Sequence, residues 1–248
     1  AGRCANQARH RVLLHELAHV DAHHGFFGVE QESRQRLGCD HVDLLYLHRW
    51  DDTTALEETF ETLAELQQQK LIGHIGVSNF AAWQVMKAQS VAQSLGTRID
   101  FIQPMYNLVK RQVEVEILPM CQSEAIIPCT YSPLGGGLLT GKYSSDTSQG
   151  RLVTDTRYAA RYGLPEMHAA ASRLNTLAAA LNTHPATLAA AWVAAHPARP
   201  VPILSARSAA QLAPSLAAIT FDLTNEIKAE LDAIYPAPPP ATDRIEEA

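Results

Sequence analysis

The stretch His41-Val-Asp-Leu-Leu-Tyr-Leu47 is apolar at nearly every position. Thr54 to Lys70 follows, and then Ile72-Gly-His-Ile-Gly-Val77. Leu56, Phe60, Leu63 and Leu66 of the middle stretch return to one side at helical spacing, so it reads as an amphipathic helix between two strands. Thr54 with Glu57 spells a capping box at its start. A strand, a helix and a further strand make a β/α unit, and such units stack into a parallel sheet.

The rhythm continues outward. A helix at 81–95 stops at Gly96, and a strand runs from Phe101 to Met105. Helix Val113 to Glu124 leads into strand Ile126 to Tyr131. The polar segment 141–164 interrupts the alternation. Two Ala-rich helices follow at 165–181 and 185–195, the second with Pro185 in its first turn, where a missing N–H costs nothing. The last strand is Val201 to Leu204, followed by helices at 208–217 and 224–234 and a proline-rich tail from Pro236 to Pro240. Toward the N-terminus, 29–37 reads as a short helix ending at Gly38, a good stop residue, and Arg11-Val-Leu-Leu14 is a candidate sixth strand beside five firm ones. Seven of the 11 histidines lie in the first 48 residues, and 1–28 shows weak periodicity. It is set apart as a divergent N-terminal segment, with 29–248 as one domain. The fold class is α/β, with β/α units throughout.

Composition narrows the function classes. The 248 residues are 46% hydrophobic, enough for a sizeable core, with a net charge of -6. Nucleic acid and anionic membranes both attract a cationic face, so neither is an expected partner. No apolar run approaches the roughly 20 residues that span a bilayer. Cys4, Cys39, Cys121 and Cys129 lie far apart, as free thiols in a reducing cytoplasm do. The chain opens with Ala rather than Met, which predicts a fragment or a trimmed product.

No strand is followed by Gly-x-Gly-x-x-Gly, so a dinucleotide-binding doubly wound sheet is disfavoured. Gly135-Gly136-Gly137 has the wrong spacing for that fingerprint and for a phosphate loop. What stands out is how the strands end: in His48-Arg49-Trp50-Asp51, in Ser78-Asn79-Phe80, in Gln103 and then Tyr106-Asn107, in Tyr131-Ser132-Pro133-Leu134 and the glycines, and in Ser205-Ala206-Arg207-Ser208. Each strand delivers hydrogen-bonding groups at its C-terminal end, the face on which a β/α barrel builds its site. Singly, most of them have plain explanations. A lone His48 is more often packed or exposed than catalytic. Ser78-Asn79 suits a helix N-cap as well as a ligand. Tyr131 suits the core. Arg207-Ser208 suits a capped helix start or an anion site. Gln103 inside an apolar strand is harder to place, because a buried amide needs partners.

Two further patterns compete. His15-Glu16-Leu17-Ala18-His19 matches H-E-x-x-H, which on a helix puts both histidines on one face for Zn²⁺ with the Glu as base, and His23 adds a third at i+8. A zinc hydrolase is therefore a minor alternative, although a short pattern arises easily in a His-rich stretch. Arg157-Tyr158-Ala-Ala-Arg161-Tyr162 has helical repetition and reads as a surface helix or a substrate-side lid.

The strand-end stretches together resemble the aldo-keto reductase superfamily, closest to its bacterial soluble reductases. The resemblance runs over about 29–245. It is carried by Arg36 to Asp51, Gly73 to Phe80, Ile102 to Asn107, Tyr131-Ser-Pro-Leu-Gly-Gly-Gly-Leu-Leu-Thr-Gly-Lys142 and Ala206 to Leu212. It implies an eight-stranded (β/α)8 barrel of the TIM type. It also implies NADPH bound in an extended pose and a small carbonyl substrate reduced by hydride transfer. By that resemblance Ser78, Asn79 and Gln103 hold the nicotinamide carboxamide and Tyr131 stacks on the ring. Ser132, Leu134 and Gly137 line the pyrophosphate. Arg207 and Ser208 grip the 2′-phosphate, with Gln211 near the adenine, and Ser205 stands where the family has Gly. His48 matches the histidine that orients the carbonyl.

The family's Asp, its general-acid Tyr and its Lys have no counterparts among the first residues. The first tyrosine is Tyr46 and the first lysine Lys70. The sequence therefore predicts a barrel incomplete at its N-terminus, with open sheet edges that favour a homo-oligomer, and weak catalysis. An inactive nucleotide-binding relative is the other reading.

Overall fold

The computed structural model describes residues 12–15, 31–143 and 150–242, and these divide between Gln103 and Pro104 into two compact units. The first unit is the regular one. Its strands are β1 (Val12–His15), β2 (Val42–Leu47), β3 (Ile72–Ser78) and β4 (Ile99–Gln103). They run parallel in that order, with His15 beside Leu47, Leu47 beside Val77 and Ser78 beside Gln103. The candidate sixth strand is thus real, shifted by one residue to end on His15. A helix, α1, spans 31–37, and α2 (Leu56–Gln68) and α3 (Ala82–Ser94) cross between strands.

Apolar alternation explains the core. Phe60, Leu63 and Leu66 of α2 are fully buried, as are Ile72, Ile75 and Val77 of β3. Tyr46 is buried beside Gly76, its register partner. A Cβ on Gly76 would lie 2.5 Å from two Tyr46 ring carbons, so only glycine leaves room for the ring. Tyr46 is a packing residue and not a proton donor.

Three expectations need correction here. The capping box at Thr54 does not form: the N-cap of α2 is Ala55, without a side-chain bond. Asp51 takes the nearby hydroxyls instead, accepting from Thr53 Oγ1 at 2.6 Å and from Thr54 Oγ1 at 2.5 Å. The third apolar strand lies two residues earlier than read, because Pro104 has no N–H to extend the ladder. The N-cap of α3 is Ala81, its N–H donating to Gln84 Oε1 at 2.8 Å, so Ser78 and Asn79 are not helix caps.

The second unit carries β5 (Ile127–Thr130) and the very short β6 (Val201–Pro202), paired parallel. β6 is shorter than the expected Val201 to Leu204, although the Ile203 N–H still donates to the Thr130 carbonyl at 2.8 Å. The helix expected from Val113 splits into a 3-10 turn at Gln112–Glu114 and α4 (Ile117–Glu124). Pro119 would break the interior of a longer helix but fits the first turn of this one. The polar segment folds into α5 (Arg151–Thr154) and α6 (Thr156–Tyr162). Then come α7 (Pro165–Ala180), α8 (Pro185–Ala194), α9 (Ala209–Leu216) and α10 (Asn225–Asp232). Eight of the ten residues of α8 are buried, from Ala186 to Val193, and it forms the centre of the unit's core with Leu174, Leu138, Leu139 and Leu231. Among the described residues no helix is long and apolar enough to cross a membrane.

Candidate active site

In the first unit the strand ends are stitched to one another. Ser78 closes β3 and is buried; its Oγ donates to the carbonyl of Gln103 at 2.8 Å. Asn79 Nδ2 donates to the carbonyl of His48 at 2.9 Å and to Ser78 Oγ at 3.1 Å. Four predicted residues, His48, Ser78, Asn79 and Gln103, therefore sit together at the C-terminal end of β2, β3 and β4. Asn79 holds φ +57, the left-handed region. Asn tolerates that region better than most residues, and such conformations collect at functional turns. Trp50 lies beside this end, edge-on to Phe80 at 5.3 Å and tilted against Trp83 at 5.6 Å, and Trp83 is 62% exposed.

In the second unit Tyr131, Ser132, Leu134 and Gly137 follow β5. Ser132 is left-handed too, at φ +57. The buried Asn107 fixes it: Nδ2 donates to the Ser132 carbonyl at 2.9 Å, and Oδ1 accepts from the Val109 N–H at 3.1 Å. The next turn has φ of +56, +64 and +100 at Gly135, Gly136 and Gly137. A Cβ on Gly136 would come within 2.6 Å of the Tyr158 ring, and one on Gly137 within 2.7 Å of Lys142 Nζ. The turn thus offers bare backbone next to a cation, a shape suited to a phosphate. Burial pushes the Tyr131 phenol pKa above its ordinary value, opposed by the Arg161 guanidinium.

Arg207 and Ser208 open α9. Ser208 is its N-cap, Oγ accepting from the Gln211 N–H at 3.2 Å, while Gln211 Oε1 accepts from the Arg207 N–H at 3.1 Å. The two earlier possibilities, a capped start and an anion site, are compatible: the cap orders the N–H groups, and Arg207, Ser208 and Gln211 remain exposed, as does Ser205.

Sequence reasoning gave no role to Lys142 or Arg151, and read Tyr158 and Arg161 only as part of a surface helix or a substrate-side lid. The Arg151 and Arg161 guanidiniums lie 5.5 and 5.6 Å from the Tyr158 ring, whose neighbour Tyr162 stacks at 6.5 Å. Lys142 closes the same quoted motif as the glycines, which was the available signal. The arginines lie in a segment whose polarity hid two short helices. Arg157 is spoken for by Asp155, its N-cap neighbour, at 3.2 Å.

The H-E-x-x-H reading fails at its first ligand. His15 is the last residue of a strand, so the helix that would align it with His19 does not start there. Glu16, His19 and His23 lie outside the described residues. Among the described residues no three His, Cys, Asp or Glu side chains group as a metal would require. Cys39, Cys121 and Cys129 are free thiols.

Comparison with known proteins agrees with this arrangement of strand ends. The model of the "Aldo/keto reductase family" matches residues 30–236. An uncharacterized oxidoreductase of Bacillus subtilis (strain 168), YrpG, is 33% identical over 210 residues, which cover 83% of this chain and 62% of that protein. Aflatoxin B1 aldehyde reductase member 2 of Mus musculus is 39% identical over 122 residues, covering 49% of this chain and 33% of that protein. An aryl-alcohol dehydrogenase of Pestalotiopsis microspora is 29% identical over 204 residues, 82% of this chain and 52% of that protein. The chain thus spans between a third and two thirds of the length of these relatives. A match over most of the chain, on parallel β/α units with polar strand ends, has one consequence: the chain belongs to the aldo/keto reductase family, whose fold is the (β/α)8 barrel.

Proposed function

We propose that this chain binds NADPH and takes part in reducing a small aldehyde or ketone to an alcohol, in the cytoplasm. The observation that carries this reading is the glycine turn 135–137. Its left-handed backbone, bare of side chains, and the neighbouring Lys142 fit a pyrophosphate. Ser132, Leu134 and Gly137 would line that group, and Lys142 would balance its charge. Tyr131 would lie against the nicotinamide, and Ser78, Asn79 and Gln103 would hold its carboxamide. Arg207 and Ser208 at the start of α9 would take the 2′-phosphate through a guanidinium and ordered N–H groups, with Ser205 and Gln211 beside them. The bound cofactor supplies the hydride.

His48 would orient the carbonyl oxygen, and the exposed faces of Trp50 and Trp83 would carry the apolar part of the substrate. Proton delivery is the weak point of this chain. Tyr106, Tyr131, Tyr162 and Tyr235 all have phenols raised above their ordinary value, with burial the first cause of each. A general acid needs a pKa near the working pH, so none of these is suited to the task. His48, at the end of β2 where the carbonyl oxygen would lie, is the residue this reading assigns to donate the proton. Turnover by this chain is therefore low. A general acid typically contributes about 10²- to 10⁴-fold, and that much is missing.

The test is NADPH oxidation with a nitrobenzaldehyde, alongside fluorescence titration of NADPH. Binding with slow turnover that disappears in His48→Ala supports the reading. Turnover at the rate of ordinary reductases would contradict the assignment of the acid. No binding at all would overturn the cofactor site.

A further inference from the structure

A polar cluster in the second unit lies outside everything assigned above. It surrounds a small cavity, about 160 Å³, lined by Tyr106, Arg111, Glu114, Trp192, His196 and residues of α10. Arg111 is its centre. Nε and Nη2 grip Glu114 at 3.0 and 2.9 Å, while Nη1 donates to the carbonyls of Asp232 at 3.1 Å and Tyr235 at 2.8 Å. Its guanidinium also lies 5.3 Å from the Trp192 ring of α8. Trp192 Nε1 donates to Asp232 Oδ1 at 2.7 Å, and Lys228 Nζ to Asp232 Oδ2 at 2.7 Å. Tyr106 OH donates to Glu114 Oε1 at 2.7 Å. Every carboxylate oxygen in the cluster already has a donor.

His196 enters this cluster edge-on to Tyr106 at 6.0 Å. Its Nδ1 accepts from the Ala198 N–H at 3.1 Å, across Pro197. An accepting Nδ1 carries no proton, so the imidazole is neutral, with its hydrogen on Nε2. Protonating Nδ1 would set N–H against N–H and leave the buried Ala198 amide without its acceptor. The charged groups facing the ring are Arg111 and Glu114 from the segment after β4 and Lys228 and Asp232 from α10. The two cations oppose an imidazolium, and the two carboxylates that would favour it are engaged.

We propose that His196 is an acid-sensitive clasp: its protonation opens the 196–199 turn, admits water to the cavity and loosens the Arg111 anchorage of α10, while the first unit keeps its structure. The ring's folded pKa lies below its ordinary value of 6.5, through burial first. Such a group stabilises the fold fully above 6.5, and that stability drains away as pH falls below it, where the unfolded chain takes up a proton and the folded one does not. One pH unit below 6.5 the loss in the opening equilibrium can reach at most about tenfold. The molecule contains its own control. His184-Pro185-Ala186 repeats the same turn, with Nδ1 accepting from the Ala186 N–H at 3.0 Å, but its ring is exposed and burial is the sole cause of its shift.

The experiment is amide hydrogen exchange of the full chain at pH 7.5 and 5.5, corrected for intrinsic rates. In the wild type, amides at 192–199 and 225–235 should lose protection at pH 5.5, by up to about tenfold, and those at 82–94 should not. His196→Asn keeps an acceptor two residues ahead of Ala198 and cannot titrate, so the loss should vanish, whereas His184→Asn should leave it in place. Equal loss in both units, or an undiminished loss in His196→Asn, would overturn the proposal. Should that variant not fold, an NMR titration of the wild-type ring decides: a His196 pKa at or above 6.5 contradicts the clasp, and one well below supports it.

Discussion

The unit ending at Gln103 and the unit beginning at Pro104 hold their strand ends in place by different means. In the first, neighbouring strands bind one another directly: Ser78 reaches the backbone of Gln103 and Asn79 that of His48. Residues with polar groups there are fixed by a regular four-stranded ladder. In the second, β6 has two residues and the ladder fixes little. Buried side chains take over, with Asn107 holding Ser132 and Arg111 holding α10. The difference teaches where each half is vulnerable. Damage to the first unit comes through steric changes in the sheet, and damage to the second through loss of one polar partner.

The largest effect should come from Arg111→Ala. It leaves Glu114, whose side chain is 15% exposed, without its cation. Breaking a buried pair in this way costs about 3–5 kcal/mol, read as a lower urea midpoint. The loss should fall on hydrogen exchange in the second unit first. A cost under about 1 kcal/mol would mean that the Arg111 network is not what holds α10.

Next is Gly76→Ala, in the first unit. The added methyl meets the Tyr46 ring, and overpacking of this kind costs about 1–3 kcal/mol. NADPH affinity should weaken only through Ser78, Asn79 and Gln103, so the Arg207-dependent preference for NADPH over NADH should persist. Losing that preference would contradict the separate means of support.

The smallest is Ser208→Ala. Removing an N-cap costs about 1 kcal/mol, seen as a modest loss of stability in the absence of cofactor. The same variant should cost NADPH more than NADH. No change in either quantity would remove both roles given to Ser208.

The first unit was largely legible because two of its three predicted strands and its helix faces repeat at fixed periods that packing obeys. Val42–Leu47 and Ile72–Ser78 lie where alternation and apolar runs place them. Boundaries moved where one residue overrode the period: Pro104 cut β4 and Pro119 cut α4. The helix after β2 took Ala55 rather than Thr54 as its N-cap, and the Thr54 hydroxyl donates to Asp51 instead. The site residues were readable as types at strand ends. Their tethering was not, since Asn107 meets Ser132 and Asn79 meets His48 only through the fold. The cluster around Arg111 left only the i,i+3 spacing to Glu114 as a local pattern: Trp192 and Asp232 lie far along the chain.

The central claim is that the glycine turn and the start of α9 together form an NADPH site. The most direct measurement is the affinity of the wild type and Arg207→Ala for NADPH and for NADH, by fluorescence titration. A charge-assisted contact to the 2′-phosphate is worth about 1.5–3 kcal/mol. The account therefore predicts a loss of roughly 10- to 150-fold for NADPH and little change for NADH. Equal losses for both cofactors, or none for either, would contradict it.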